Sequence, residues 1–159
     1  MAARFKSVLV TGCSAGGLGA AIATNTAKTS GHHVFATARH TAKISEELSK
    51  LANVTVLELD ITSAPSVTAA AKAVDDSGHG LDILVNNAGA GYASPIIEMD
   101  IEEAKQTYDI NVWGTVRTIQ AFVGLLIKSH GRIVNISTVG SVLNMPWICA
   151  SRLTSKHTS

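Results

Sequence analysis

The stretch that decides the fold is SVLVTGCSAGGLGAAIATNTAK, residues 7–28. It opens with a run of β-branched and apolar residues, 7–11, which is typical of a buried strand. A loop rich in glycine follows, and after it comes an Ala- and Thr-rich segment with Leu18, Ile22 and Ala27 at helical spacing. This order of strand, glycine loop and helix is typical of the phosphate-binding turn of dinucleotide folds.

The glycines of this loop have a physical role in such a turn. Gly12 directly follows the strand and can adopt backbone angles that are closed to other residues. Gly17 and Gly19 let the main chain approach a pyrophosphate, at which the following helix aims free N–H groups and its positive dipole end. Gly16 is extra, and no Lys-Ser or Lys-Thr pair follows, which disfavours a P-loop. A strand-to-helix turn without a ligand is the alternative.

Length, charge and cysteine content exclude several classes of protein. The 159 residues have room for about one domain, which we predict over residues 1–159. A net charge of +1 with 16% charged residues gives no electrostatic footprint for nucleic acid. Cys13 and Cys149 have neither metal nor disulfide-framework spacing, and the adjacent His32 and His33 would point to opposite faces of a strand. We therefore predict no metal site.

No segment of the sequence has the pattern of a membrane span or a secretory signal. The longest apolar run, residues 121–127, is far too short to cross a bilayer. The start, MAARFKSVLV, has basic residues but only a strand-length apolar stretch. We expect a cytoplasmic protein without a membrane span.

Strand and helix patterns alternate along the whole chain. Strands are predicted at residues 7–11, 33–37, 54–59, 81–85 and 132–136, and helices follow the first four, at residues 18–30, 42–51, 64–77 and 100–128. Such alternation predicts an α/β fold, a doubly wound, Rossmann-like parallel sheet with helices on both faces. Ligands in these folds lie beyond the carboxyl ends of the strands, near the point where the strand order reverses.

Two of the predicted strand ends carry charged residues suited to a nucleotide. Arg39 lies just past the second strand, where an acid would accept from a ribose 2′-hydroxyl and an arginine can fork onto a 2′-phosphate. Lys43, one turn further on, is placed to reinforce it, although an ordinary solvated arginine is the alternative. Asp60, at the end of the third strand, is placed either to accept from an adenine amino group or, like Thr62 or Ser63, to cap the next helix.

The fourth predicted strand runs into Asn86, Asn87 and the small residues 88–91. Small residues beyond a buried strand permit close approach of a flat ring or a sugar, and asparagine amides can tie neighbouring strand ends together. A plain turn needs neither two asparagines nor two glycines within six positions.

Taken together, these pieces resemble the short-chain dehydrogenase/reductase family, and most of all its fungal NADPH-dependent branch around 1-acyldihydroxyacetone-phosphate reductase. The resemblance covers nearly the whole chain in the right order. It rests on Thr11-Gly12…Gly17-Leu18-Gly19, Ala36-Thr37-Ala38-Arg39, Leu59-Asp60, Asn86-Asn87-Ala88-Gly89, Asp109-Ile110-Asn111-Val112-Trp113-Gly114 and Ile133-Val134-Asn135-Ile136-Ser137-Thr138.

The resemblance implies hydride transfer between NADP(H) and a small-molecule carbonyl or alcohol. In the family an Asn holds a water of the proton relay, which matches Asn111, and a Ser orients the carbonyl, which matches Thr138 with Ser137 as the alternative. The cofactor-binding positions that it implies are Gly12, Ser14, Gly17, Leu18, Gly19, Arg39, Lys43, Asp60, Ile61, Asn87, Ala88 and Gly89.

The family's proton-giving Tyr, four residues before a Lys, has no match. Placing residues 152–156 on this motif keeps Lys156 but puts Arg152 at the Tyr position. Placing residues 148–152 on it puts Ile148 at the Tyr and Arg152 at the Lys, and we prefer the first register. The only tyrosines are Tyr92 and Tyr108, and Tyr92 is a poor substitute because proton transfer needs hydrogen-bond reach and a tuned pKa.

Residues 145–159 are atypical of the family, whose chains continue into further strands and helices. We therefore expect a reductase that is impaired in this chain, and the alternatives are a non-catalytic NADP(H)-binding module or a truncated fragment. Without the missing helix, an apolar stripe of residues 112–126 is expected to stay partly exposed, and the fifth strand to offer an unpaired edge. A homo-oligomer formed through the helix at 103–128 is the expected consequence.

Overall fold

We describe residues 5–138 of a computed structural model of the chain. Five strands there form one sheet in the order β3-β2-β1-β4-β5, and every neighbouring pair is parallel. The predicted α/β class is confirmed, and each strand begins and ends within two residues of its predicted bounds. The strands are β1 Ser7–Val10, β2 His33–Ala38, β3 Val54–Glu58, β4 Ile83–Asn86 and β5 Arg132–Asn135.

Helices cover both faces of this sheet. They are α1 Leu18–Ser30, α2 Glu46–Ser49, α3 Ala64–Asp76, α4 Ile101–Tyr108 and α5 Thr115–Ser129, with short 3₁₀ turns at Thr41–Lys43 and Ile96–Glu98 and a π-helical segment at Asp109–Gly114. Successive strand residues point to opposite faces, so Val8 and Val10 join one core cluster with α1 and α2. Leu9 joins the other cluster, with α3 and α5.

The helix predicted at residues 42–51 is wrong in its extent. The 3₁₀ turn Thr41–Lys43 ends at Ile44, whose backbone is extended, and the four-residue helix α2 begins only after Ser45. Ser45 caps α2, because its side chain accepts a hydrogen bond from the Leu48 N–H at 3.3 Å. The apolar spacing of Ile44 and Leu48 is real, since both are buried, but it anchors a turn and a short helix.

The helix predicted at residues 100–128 is divided by the π-helical segment into α4 and α5. The buried residues of α5 are Thr118, Phe122 and Leu126. Leu126 belongs to the apolar stripe predicted over residues 112–126, whereas Val116 and Val123 of the same stripe are 36% and 39% exposed. Thr118 is buried at little cost since its hydroxyl donates to the Gly114 carbonyl at 2.7 Å. The helix is thus apolar on two sides, and the predicted partial exposure is found on one of them.

β5 lies at one end of the described sheet, and all four of its residues are exposed. Within residues 5–138 its pairing partner is β4 alone, and the open edge stays a prediction. In the same part of the chain one helical stretch, Ile101–Ser129, is long and apolar enough to cross a membrane by length and composition alone. Phe122 and Leu126 of this stretch pack in the core as a core helix does, so it is weak support for a span, and the absence of one stays a prediction.

Candidate functional site

A cavity of about 400 Å³ opens where β1 and β4 diverge, at the carboxyl ends of the strands. The strand order reverses at this point, because β2 and β3 extend the sheet on one side of β1 while β4 and β5 extend it on the other. Every predicted cofactor-binding residue except Gly19 lines this cavity. The lining residues are Gly12, Ser14, Gly17, Leu18, Ala38, Arg39, His40, Lys43, Leu59, Asp60, Ile61, Thr62, Asn87, Ala88, Gly89, Ala90 and Ile110.

The glycine loop presents bare backbone to the cavity. Gly12 has φ +75°, and a Cβ at this position would lie 2.9 Å from the Ala88 Cα atom, so only glycine fits between β1 and β4. Gly17 is the N-cap residue of α1, where no side chain caps the helix and no acidic residue lies in the first turn. The N–H groups and the positive dipole end of α1 are therefore available to an anion at this edge of the cavity.

Gly19 is not among the lining residues, and the structure gives a packing reason for glycine at this position, while its predicted role near a pyrophosphate stays a prediction. A Cβ on Gly19 would clash with Asn87 Nδ2 and would lie 2.5 Å from the Gly12 carbonyl oxygen. Gly19 thus lets α1 pack directly against the loops that follow β1 and β4. Its contribution to the cavity is the position of the helix N-terminus.

The Asn87 side chain fixes the cavity wall. Its Nδ2 atom donates to the carbonyl oxygens of Thr11 at 2.9 Å and Gly12 at 3.3 Å. The Thr11 hydroxyl in turn accepts from the backbone N–H groups of Asn87 and Ala88, at 3.0 and 2.9 Å. The Asn87 amide is therefore engaged with β1, which is the strand-tying role that the sequence suggested for this pair of asparagines. The neighbouring Asn86 similarly donates to Asn135 Oδ1 at 2.8 Å and ties β4 to β5.

Three basic side chains stand together at the end of the cavity next to β2. Arg39, His40 and Lys43 are exposed and all line it. The Lys43 carbonyl accepts from the Ala15 N–H at 2.8 Å, which joins this turn to the glycine loop. The cationic end of the cavity and the N-terminus of α1 thus belong to one rim, in which a backbone hydrogen bond connects them. Such a rim favours a ligand with two separate anionic groups.

Asp60 forms a turn with Thr62 at the end of β3. Its Oδ1 atom accepts from the Thr62 N–H at 2.9 Å and from the Thr62 hydroxyl at 2.7 Å, while Ser63 is the N-cap residue of α3. Partial burial raises the pKa of the Asp60 carboxyl, but the hydrogen bonds from Thr62 and the charges of Arg39 and His40 together outweigh it, so the pKa lies below its ordinary value. Asp60 is an anion whose Oδ2 atom has no hydrogen-bond partner among residues 5–138.

Asn111 lies within the π-helical segment and contacts the loop after β4. Its Oδ1 atom accepts from the Ala90 N–H, and its Nδ2 atom donates to the Ala90 carbonyl, both at 2.9 Å. Its own carbonyl accepts from the Thr115 hydroxyl at 3.2 Å. Asn111 is thus engaged in holding a cavity-lining residue, and the water-holding role that the family resemblance implies for it stays a prediction.

Of the other predicted catalytic residues, the structure describes two, and neither lies at the cavity. Ser137 and Thr138 lie two and three residues after the end of β5 and are exposed, and neither lines the cavity. Lys156 lies outside the described residues, as do Ile148 and Arg152 of the two competing registers. The Tyr92 hydroxyl accepts from the Asp100 N–H at 2.8 Å, where it holds the start of α4. Tyr108 makes an edge-on ring contact with Trp113.

Sequence reasoning missed six residues that line the cavity. Most of them are adjacent in the sequence to predicted site residues. The expectation that ligands bind at the carboxyl ends of the strands could therefore have indicated them. The one feature of the sequence that could have indicated Ile110 is its position beside Asn111. The missed residues are Ala38, His40, Leu59, Thr62, Ala90 and Ile110.

Cys13 is buried beneath the glycine loop. Burial raises the pKa of its thiol to about 11, although a backbone hydrogen bond from Thr37 acts in the opposite direction. The Sγ atom donates to the Val10 carbonyl at 3.3 Å. This thiol packs as a small apolar group and is chemically inert at neutral pH. In the part of the chain that the structure describes, no group of His, Cys, Asp or Glu side chains could hold a metal ion.

A parallel sheet with an uncapped helix and a glycine loop at its switch point defines a doubly wound nucleotide-binding fold. Residues 6–157 match the family described as short chain dehydrogenase. The chain therefore belongs to the short-chain dehydrogenase/reductase family, as the motifs indicated.

Relatives of the chain include several fungal members of this family. It is 42% identical over 144 residues to the short-chain dehydrogenase PC-15 of Penicillium crustosum, covering 90% of this chain and 52% of that protein. It is 39% identical over 137 residues to the NADPH-dependent 1-acyldihydroxyacetone phosphate reductase of Schizosaccharomyces pombe, covering 86% of this chain and 45% of that protein. The chain thus spans about half the length of these curated relatives.

Solved structures agree with this assignment. An actinorhodin polyketide ketoreductase variant solved with NADPH superimposes with a TM-score of 0.87 at 28% identity, covering 96% of this chain and 60% of that one.

Proposed function

We propose that the cavity binds NADP(H) and that the chain is the cofactor-binding part of a reductase acting on a small-molecule carbonyl or alcohol. The observation that carries the proposal is the composition of one cavity wall. It combines a glycine loop without side-chain bulk, an uncapped helix N-terminus and the basic group of Arg39, His40 and Lys43. A pyrophosphate and a 2′-phosphate are two anionic groups of the kind that such a wall favours.

The residues present fit the cofactor. Gly17, the N-cap residue of α1, carries no side chain, and no acidic residue lies in the first turn, so a pyrophosphate can approach the main chain at this helix N-terminus. Arg39, with Lys43, is assigned to the 2′-phosphate, and the second oxygen of Asp60 to the adenine amino group. Ser14, Gly17 and Leu18 would hold the pyrophosphate, with Ile61, Ala88 and Gly89 against the rings and sugars.

When bound, NADPH supplies a hydride to a carbonyl carbon. The chain's own residues would bind the cofactor, exclude water from the rings and orient the reacting carbonyl. We assign that last task to Thr138, with Ser137 as the alternative, and we retain Asn111 and Lys156 as members of the proton relay. The names of the NADPH-dependent relative and of the ketoreductase solved with NADPH support reduction of the carbonyl as the reaction and NADPH as the cofactor.

Titration of the full chain with NADPH and with NADH, followed by fluorescence, tests the proposal. We expect NADPH to bind more tightly. Arg39→Ala should weaken NADPH binding by about tenfold or more, the value of a charge-assisted contact, and leave NADH binding unchanged. Arg132→Ala, on β5, is the matched control because Arg132 does not line the cavity. Failure to bind either cofactor, or equal weakening of both by Arg39→Ala, would overturn the proposal.

A second candidate, a non-catalytic NADP(H)-binding module, is favoured by the absence of a matched proton-giving Tyr in the sequence. Loss of a positioned acid removes about 10²–10⁴-fold in rate. Tight NADPH binding without turnover over a panel of carbonyl compounds would select this candidate. Turnover that falls in Thr138→Ala would select the reductase.

A further inference from the structure

The π-helical segment Asp109–Gly114 touches the cavity at three points. Ile110 lines the cavity, and the Asn111 amide makes both of its hydrogen bonds with the backbone of Ala90, another lining residue. A Cβ on Gly114 would lie 2.7 Å from the Cδ1 atom of Ile61, so this segment is also in direct contact with the wall beside Asp60. The geometry of this one turn thus affects the cavity at several residues.

A π turn resolves a conflict of helical register. On its carboxyl-terminal side, Phe122 and Leu126 fix the rotation of α5 by packing in the core. On its other side, Thr107 is buried on α4. One residue of an α-helix corresponds to a rotation of about 100°. If the segment became α-helical, the rotation would therefore break either the packing of these buried residues or the Asn111 contact with Ala90. π turns are frequent at functional sites, where they change the direction of side chains without breaking the helix.

Side chains from the flanking turns fasten the segment. The Thr115 and Thr118 hydroxyls donate to the carbonyls of Asn111 and Gly114, at 3.2 and 2.7 Å. Arg117 Nη2 donates to Asp109 Oδ1 at 2.6 Å, so an ion pair joins the first residue of the segment to the first turn of α5.

The ion pair is less exposed to solvent than the other ion pair of α5, which joins Lys128 to Asp75. The Arg117 and Asp109 side chains are 32% and 36% exposed, whereas both side chains of the Lys128–Asp75 pair of the same helix are more than 60% exposed. The second terminal nitrogen of Arg117, Nη1, is buried without a hydrogen-bond partner within residues 5–138. With Nη1 unpaired, the bond from Nη2 to Asp109 is the polar contact within residues 5–138 that fixes the position of the Arg117 guanidinium.

We infer that Asp109 and Arg117 are positioning residues for the candidate cofactor site. Their ion pair holds the π turn in the register that puts Ile110 on the cavity wall and the Asn111 amide on Ala90. The expected effect of the ion pair on NADPH affinity rests on the proposed NADP(H) site. The expected effect on the ordering of Ala90 does not depend on that site.

The test compares Arg117→Leu with the matched control Lys128→Leu in the full chain, since both remove one cation from α5. Hydrogen exchange at the Ala90 amide and NADPH affinity are measured on each. We expect Arg117→Leu to speed exchange at Ala90 and to weaken NADPH binding, each by about fivefold to tenfold. Lys128→Leu should change both by less than about twofold. The double variant Asp109→Arg with Arg117→Asp should recover most of both losses.

If Arg117 only stabilised the fold as a whole, the exchange measurements would give a different pattern. If Arg117→Leu speeds exchange equally in α3 and β2, or leaves Ala90 unchanged, the inference is wrong. If Arg117→Leu fails to fold, Arg117→Gln and Asp109→Asn replace it with the same two readouts, because each removes one charge of the ion pair and keeps most of the side-chain volume. If the wild-type chain binds no NADPH, the proposed function fails, while exchange at Ala90 still decides whether the ion pair positions the loop.

Discussion

Gly12 meets two requirements at one position, because its φ is +75° and the space beside it is occupied by the Ala88 backbone. Gly16, in the same loop, has φ +79°, but a Cβ at this position would meet no other atom within 4 Å. Substitution by alanine therefore separates backbone strain from close contact. Alanine at either position is strained by the positive φ, but only alanine at position 12 would also collide with the Ala88 backbone.

We expect Gly16→Ala to lower the free energy of unfolding by about 1 kcal/mol, from strain alone. Gly12→Ala should cost about 1–3 kcal/mol more, because β1 and β4 must move apart. Urea unfolding followed by circular dichroism measures both values. Equal losses for the two variants would mean that the contact with Ala88 yields without cost.

The Asp60 carboxylate predicts a pH-dependent contribution to stability. Because its pKa in the folded protein lies below the ordinary value of 3.8, this contribution is present above that value and is lost as the pH falls through the lower folded pKa. Thr62→Val removes the hydroxyl bond and should raise the pKa of Asp60. We expect a loss of about 1 kcal/mol at pH 7 that shrinks below about pH 4.

Urea unfolding of wild type and Thr62→Val across this pH range measures the effect. Thr68→Val is the matched control, because the Thr68 hydroxyl donates to the Ala64 carbonyl and contacts no carboxylate. A loss in Thr62→Val that is constant with pH would show that its hydroxyl does not stabilise the ionised form of Asp60.

Helix α5 is apolar on two sides, and neighbouring positions along it face different surroundings. Phe122 is fully buried between the sheet and α3, whereas Val123 is 39% exposed. We expect Phe122→Ala to lower the free energy of unfolding by about 3–5 kcal/mol, and Val123→Ala by less than about 1 kcal/mol. Thermal and urea unfolding of both variants measure these values. A larger loss for Val123→Ala would show that the side of α5 with Val123, and not the side with Phe122, packs in the core.

The exposed side of the helical region forms a continuous surface, which we call the outer stripe: Trp113, Val116, Val123 and Ile127. These residues are 52%, 36%, 39% and 69% exposed and recur at helical spacing. Exposed apolar surface of this kind favours association, and the homo-oligomer expected from the sequence stays a proposal located at this stripe.

We expect the wild-type chain to self-associate with rising concentration in sedimentation velocity experiments. Ile127→Lys should shift it to monomer, because a charge would be buried in the interface without a partner. Asn25→Lys, on the exposed side of α1, adds the same charge elsewhere and should leave association unchanged. A monomer at every concentration would contradict the proposal.

The sequence by itself was sufficient to predict where the strands occur along the chain, the α/β class and the location of the cavity. The physical reason is that alternating strand and helix patterns are local properties, and parallel strands bring all their carboxyl ends to one edge. Gly12, Arg39, Asp60 and Asn87 therefore converge whatever the details of packing. The helix predicted at 42–51 is wrong in its extent because Ser45 caps a separate short helix after an extended residue. The helical region predicted at 100–128 is present as Ile101–Ser129, and hydrophobic spacing alone did not reveal the π turn within it.

Only the tertiary structure decided how the polar groups of the cavity are used. Asn87 donates to carbonyls 75 and 76 positions earlier in the chain, Asn111 bonds to a residue 21 positions away, and Gly19 is required by the contact of α1 with Asn87. The same holds for the choice between the two apolar sides of α5, since the side that is buried depends on where α3 and the sheet lie. Contacts between distant segments leave no periodic trace in a single sequence, because they depend on the packing of elements and not on local conformation.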